Sequence, residues 1–212
     1  MPRTRRSVVS GGCYHVINRA NERATVFHDR LEYRAFLDLI EAAQLLCRVP
    51  LLAACLMPNH FHLVVVAPGR DALSRWLQWL QSTHSHRYNV FHERVGHVWQ
   101  GRYKSFPIQR DEHLLTVMRY VERNACRAGL ALRAEAWPWS SLAWRTGRHP
   151  GPALAEPPVR LPSSWVEWVN RPQTPAELAA VRRSVNRQRP FGTDAWARDE
   201  SEEPVPFISV GD

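Results

Sequence analysis

Two apolar runs, Leu51–Met57 and Phe61–Ala67, flank the turn dipeptide Pro58-Asn59. Runs this short and this continuous, joined by a pair of turn-forming residues, read as a hairpin of two buried strands. The segments around the hairpin must then supply its partners. Cys13–Asn18 follows a Gly11-Gly12 break and alternates as a strand, with Tyr14, Val16 and Asn18 on one face and Cys13, His15 and Ile17 on the other. Over 29–47 the residues Leu31, Phe36, Leu37, Leu39, Ile40, Ala43, Leu46 and Cys47 recur at helical spacing behind Asp29, an N-cap residue. A second helix runs from 71 or 72 to about Phe91 with Leu73, Trp76, Leu77 and Leu80 inward, and Arg102–Gln109 reads as extended. Asp111 opens a third helix that continues to about Arg127 and stops before Gly129. The order is strand, helix, strand, strand, helix, strand, helix. Its first six elements predict an α+β fold: a ferredoxin-like βαββαβ sandwich with a four-stranded antiparallel sheet, two helices on one face and a third helix added.

Beyond Trp137 the character changes. Prolines break up any long element, only Ala176–Gln188 has helical spacing, and residues 199–206 read as a frayed acidic tail. This predicts one domain over 1–148 and an extension over 149–212 that carries one short helix, with Trp137, Trp139, Trp165 and Trp168 pinning it down. Charge divides in the same way. Residues 1–150 hold 21 basic and 11 acidic side chains, whereas 151–212 hold 7 and 9, so the net charge of +8 belongs to the first part. An excess of cations attracts a polyanion at cellular salt. All the cations except Lys104 are Arg, which forks onto phosphate oxygens; a genome-wide preference for Arg codons explains that bias as readily. The four cysteines are scattered without a CxxC pair, which argues against a disulfide framework or a structural zinc. The basic N-terminus has no apolar stretch behind it, and no apolar run approaches the roughly 20 residues of a membrane span. The expectation is a soluble, cytoplasmic protein.

The chemistry starts from His60-Phe61-His62 at the head of a strand. Alternate strand residues share a face, so the two imidazoles lie side by side, close enough for one metal ion, while Phe61 points into the core. His84-Ser85-His86 has the same spacing within a helical stretch, where residues two apart diverge by roughly 200°. That pair is expected to face solvent or DNA and makes no pincer. Tyr120 and Asn124 lie one turn apart on the third helix and face the same way. Over the sheet, that helix would present an amide oxygen to a metal and a phenol to a phosphodiester. Each residue also has a structural reading: a histidine pair at a strand start, or an interfacial core tyrosine.

His60-Phe61-His62, behind Met57-Pro58-Asn59, resembles the HUH motif of single-strand nucleases with one catalytic tyrosine. Tyr14-His15-Val16-Ile17-Asn18-Arg19, the block from Gly96 to Ser105, and Arg119-Tyr120-Val121-Glu122-Arg123-Asn124 resemble the REP-associated tyrosine transposases. The resemblance covers about residues 8–145 and extends weakly to 181–187 and Pro190-Phe191-Gly192. It implies that His60, His62 and Asn124 ligate Mg²⁺ or Mn²⁺ and that Tyr120 is the nucleophile. The tyrosine of such enzymes attaches to the 5′ phosphate at a nick and leaves a free 3′ hydroxyl. The family usually has Pro after the asparagine; here Ala125-Cys126 follows, so the helix is expected to run further. A phenol ordinarily titrates near 10, and Arg119, Arg123 or the metal would help Tyr120 to ionise.

The DNA contacts expected from sequence are a basic arm, Arg3, Arg5 and Arg6, with Arg19, Arg23, Arg102 and Lys104 at sheet edges and loops. Tyr14, Trp99 and Tyr103 are candidate platforms for base stacking, with burial in the core as the competing reading. The partner implied is a single-stranded DNA hairpin of the REP type, met in the cytoplasm at the nucleoid, with a monomer slightly favoured. Two other functions compete: a domesticated hairpin-binding protein that no longer cuts, and a metal-dependent hydrolase of small phosphate esters, which would not need Tyr120.

Overall fold

The computed structural model describes residues 8–202. Strand β1 (Cys13–Arg19) leads to α1 (Arg30–Cys47), the hairpin β2 (Leu51–Met57) and β3 (His60–Val66), α2 (Arg70–Phe91) and β4 (Lys104–Ile108). The sheet order is β2-β3-β1-β4 with every neighbour antiparallel, which is the expected α+β architecture. The Asp29 carboxylate accepts from the N–H groups of Leu31 and Glu32 at 2.8 and 3.0 Å and so caps α1.

Period-two alternation gives the sheet two different faces. Tyr14, Val16, Leu56, Phe61, Leu63 and Val65 turn toward α1 and α2, where Phe36, Leu37, Ile40, Trp76, Leu77 and Leu80 meet them in one apolar core. Phe61 is wholly buried, with its ring centroid 5.5 Å from Phe36 and 5.2 Å from Trp99. Cys13, Cys55, Met57 and Val64 turn the other way and meet Leu114, Val117, Met118 and Val121 of α3 (Glu112–Glu122).

The third helix is not continuous to Arg127. It pauses at Arg123 and resumes as α4 (Asn124–Arg127), with the Arg127 Nη1 donating to the Tyr120 carbonyl across the junction at 2.7 Å. The chain without proline does run one further turn, and Gly129 at φ +70° ends it.

The extension is more helical than its prolines suggest. After α5 (Ser141–Arg145) come α6 (Trp165–Asn170), α7 (Pro175–Arg187) and α8 (Asp194–Glu202), where the sequence predicted one short helix. Residues 199–202, expected to fray, belong to α8, and residues 203–206 lie outside the described residues. Short amphipathic helices that take their stability from docking leave a weak periodic signal. Trp165 is buried and donates its indole N–H to the Glu122 carboxylate at 2.7 Å, while Trp137 donates to the Leu56 carbonyl at 2.8 Å. Phe191 bridges Ile108 in parallel, exchanging hydrogen bonds with Pro107 and Gln109, and thereby covers the outer edge of β4. All four cysteines are free; Cys13 and Cys55 are buried and the other two half-buried. Among the described residues no helix is long and apolar enough to cross a membrane.

Candidate functional site

β3 places His60 and His62 on the α3 face, with ring centroids 5.1 Å apart. Each ring has its Nδ1 engaged. His60 Nδ1 lies 2.7 Å from the Asn59 amide oxygen in the hairpin turn. His62 Nδ1 lies 2.9 Å from the Nε2 of His15, a third imidazole contributed by β1 and stacked on His62 at 5.1 Å. The register pairs His62 with Ile17 and His15 with Val64, so the two histidines are diagonal neighbours on one face. Both Nε2 atoms of the His60/His62 pair are left without a protein partner among these contacts.

α3 brings Tyr120 over these rings, with its centroid 6.0 Å from His62 and 6.2 Å from His15, edge-on to both. Tyr120 is 8 % exposed. Asn124 follows at the start of α4, and Arg127 binds the two together. Its guanidinium carbon lies 3.9 Å from the centre of the Tyr120 ring, and its Nη2 donates to the Asn124 Oδ1 at 3.0 Å. The Asn124 Nδ2 is buried with no hydrogen-bond partner. Arg119 and Arg123, expected beside the phenol, are occupied elsewhere. Arg119 reaches Glu177 and the carbonyls of Arg171 and Pro172, and Arg123 donates to the Asn170 carbonyl. They tie the helix to the extension because they leave it on its other flank.

Burial makes the imidazoles poor bases. It pushes His15 down to about 3, with Arg127 adding to the effect, and His60 down to about 4, with Arg19 adding. His62 is held well below its ordinary value by burial first, then by His15, His60, Arg127 and Arg19. All three are therefore neutral at pH 7, the form in which imidazole ligates a metal. Behind Tyr120, the buried Glu122 has its carboxyl pushed up by desolvation, and Ser141 Oγ and Trp165 Nε1 both donate to it at 2.7 Å. It anchors the helix from the side away from the histidines.

The model of the IS200-like transposase family matches residues 8–124, a stretch that includes both histidines, Tyr120 and Asn124. This chain belongs to that family. Comparison with curated proteins gives no match. Among solved structures, the chain is similar to a REP-associated tyrosine transposase bound to a REP hairpin, at 19% identity over 74% of this chain and 93% of the other, with a TM-score of 0.59. At that identity the likeness is one of fold. A Deinococcus radiodurans protein assigned as a transposase is also similar, at 19% identity over 58% of this chain and 97% of the other, with a TM-score of 0.41.

The residues expected to meet DNA differ in exposure. Tyr14 is buried and its hydroxyl accepts the Val9 N–H at 2.7 Å. Trp99 is buried among Phe27, Phe36, Phe61 and His84, and Tyr103 is buried with its hydroxyl 3.1 Å from Ser74 Oγ. The apolar core holds most of all three rings; Trp99 and Tyr103 still line the concavity beside Arg102, and Tyr14 does not. Arg23, Arg102 and Lys104 are exposed and Arg19 half-buried, whereas Arg3, Arg5 and Arg6 lie outside the described residues. Arg102 borders a concavity of about 610 Å³ between α2 and the 96–103 loop, with Gln78, Gln81, Ser82 and His97 around it. His84, expected to face solvent, is buried against Phe36 and Trp99, and only His86 is exposed.

His15 and Arg127 are the site residues that sequence reasoning missed. Alternation already put His15 on the face opposite Tyr14, but the cross-strand register that brings it to His62 is not written in either strand. Arg127 completes the spacing i, i+4, i+7 from Tyr120 and Asn124, a signal available from the sequence. A separate grouping of His28, Glu32 and His92 has ligand-type atoms within 4.8 Å of one another at the outer ends of α1 and α2. Its members already bond to one another and to Tyr88, and it lies on the opposite side of the sheet from His60.

Proposed function

We propose that this transposase-family chain is a metal-dependent single-stranded DNA endonuclease and strand transferase that recognises DNA hairpins and cleaves through a 5′-phosphotyrosine at Tyr120. The observation that carries the reading is the convergence of Tyr120, His60, His62 and Asn124 on one face of the sheet from two separate parts of the chain. Packing alone would not call for two neutral imidazoles with free Nε2 atoms beside a phenol.

The donors fit a divalent ion. His60 and His62 offer Nε2, and Asn124 Oδ1 keeps a second lone pair after accepting from Arg127. Imidazole nitrogen suits Mn²⁺ better than Mg²⁺. When bound, the ion supplies Lewis-acid polarisation of the phosphodiester and neutralises charge that develops on it. The remaining work belongs to the chain. Asn59 and His15 hold the two rings by their Nδ1 atoms, which fixes the direction of each Nε2. Arg127 keeps Tyr120 and Asn124 in one array and places a positive charge where negative charge grows in the transition state. The Tyr120 oxygen forms a bond to phosphorus as the bond to the 3′ oxygen breaks; the phenol loses its proton and the leaving 3′ oxygen gains one. One phosphodiester replaces another, so rejoining needs no ATP.

In this reading the unit through residue 148 does the chemistry, residues from 149 onward support it, and the protein works as a monomer on the DNA of the cytoplasmic nucleoid. Binding of hairpins without cleavage is a second reading, favoured by the burial of Tyr120 to 8 % exposure. Incubating the protein with labelled single-stranded hairpins and Mn²⁺ separates the two. Metal-dependent cleavage that is lost on chelation supports the nuclease; tight hairpin binding without cleavage supports the binding protein. Cleavage surviving Tyr120→Phe would instead mark a metal-dependent hydrolase.

A further inference from the structure

The extension carries a net charge of −2 over 151–212, yet its arginines are not spread evenly. Arg183 and Arg187 of α7, Arg189 beyond it and Arg198 of α8 surround one concavity of about 800 Å³, in which Asp194 is the one carboxylate. All four arginines are exposed, and none of them forms an ion pair among the described residues. Five of the nine acidic residues of 151–212 fall at position 199 or later in the sequence.

Four like charges around one hollow repel one another, and an anion placed between them relieves that repulsion. The hollow is far larger than one phosphate ion requires, given that a water occupies about 30 Å³ of liquid. Repeated phosphates of an extended backbone use it fully. Its floor is also firm. Phe191 lines it while pairing with β4, and a Cβ on Gly192 would come within 2.3 Å of Trp196 and 2.6 Å of the Gln109 side chain. That close packing fixes the turn between α7 and α8, so the guanidiniums hang on a set backbone. On the other side of α7, Arg182 lies within electrostatic range of Arg127, beside Tyr120. Basic groups thus run from the tyrosine across α7 to the hollow.

We infer that the hollow formed by Arg183, Arg187, Arg189 and Arg198 is a second DNA-binding surface, which holds the phosphate backbone of the nucleic acid that enters at Tyr120. This rests on the nuclease reading above and adds a place where the strand is gripped outside the sheet. Arginine suits the task because its planar fork meets two phosphate oxygens at once.

The test is the affinity of the full chain for a labelled hairpin with a single-stranded flank, measured by fluorescence anisotropy across a salt series. Arg183→Ala/Arg187→Ala is compared with Arg30→Ala/Arg160→Ala, which removes the same charge from exposed positions elsewhere, and melting curves confirm folding of both. The expected result is a loss of about tenfold or more for the first pair, with the slope of log K against log salt lowered by roughly two, against less than about twofold for the second. Arg183→Lys/Arg187→Lys should keep most of the affinity. Equal losses in both alanine pairs, or no loss in either, overturn the surface while leaving the nuclease intact. A wild type that binds no hairpin overturns the nuclease reading and this surface with it.

Discussion

The two faces of the sheet are built from alternate residues of the same strands, yet they have opposite characters. Toward α1 and α2 the strands contribute Tyr14, Val16, Phe61, Leu63 and Val65 to an apolar core. Toward α3 they contribute His15, His60 and His62, which are bonded through their ring nitrogens and overlain by Tyr120. Both faces contain a buried histidine from a His-x-His spelling, and the comparison is sharpest there. His62 has a partner on Nδ1; His84, in the aromatic core, leaves its Nδ1 without one. A strand delivers both members of such a pair to one face, whereas a helix buries one and exposes the other. The same His-x-His spacing therefore yields a candidate site on the strand and a packing residue on the helix.

Substitutions at four positions would sharpen or break this contrast. The largest effect should come from His62→Ala, which we expect to lower cleavage at least about a thousandfold while leaving hairpin affinity within a few-fold; His84→Leu in the same assay should cleave normally. If both variants lost activity equally, the faces would not differ in function. Phe61→Ala, one residue from His62 but on the other face, should cost about 3–5 kcal/mol of stability in urea unfolding, because it opens a cavity among Phe36 and Trp99. A loss below about 1 kcal/mol would mean that this core is not close-packed.

His15 offers a finer test. For His62 to present Nε2 as a ligand, its Nδ1 must carry the proton and His15 Nε2 must accept it. His15→Leu removes the acceptor and should weaken Mn²⁺ binding, measured by calorimetry, by about 10–100-fold. His15→Gln offers an amide oxygen to the same donor and should stay much closer to wild type. The smallest effect concerns His84, whose imidazole burial pushes down to about 3. Below its ordinary value of 6.5 the unfolded chain takes up a proton that the folded protein refuses, so stability falls as pH falls through the interval from 6.5 toward 3. Removing the group in His84→Leu should shrink the loss of stability between pH 7 and pH 5 by about 2 kcal/mol, read from paired unfolding curves. An unchanged loss would show that His84 is not held neutral.

Much of this was legible in the sequence, for identifiable reasons. The hairpin around Pro58-Asn59, the Asp29 cap and the buried stripe Leu73, Trp76, Leu77 and Leu80 are local signals, and they appear where spacing put them. The sharing of one face by His60 and His62 is equally local. Cross-strand and interhelical proximity was not legible: the diagonal contact of His15 with His62 depends on register, and the capture of Arg119 and Arg123 by the extension depends on docking. Trp99 and Tyr103 follow the burial reading that competed with base stacking, because a Gly-flanked loop folds inward here, yet both keep an edge on the concavity beside Arg102. The extension was read as carrying one short helix because its other helices are short and separated by prolines, so contacts such as Trp165 with Glu122 hold them rather than propensity.

The central claim is that Tyr120 is the group that becomes joined to DNA. Mass spectrometry of peptides recovered after reaction with a hairpin and Mn²⁺ tests it most directly. The account predicts a nucleotide attached through a 5′ phosphate to the peptide containing Tyr120, absent without metal and absent in Tyr120→Phe. Attachment at another residue, or cleaved DNA with no protein adduct in wild type and Tyr120→Phe alike, would contradict it.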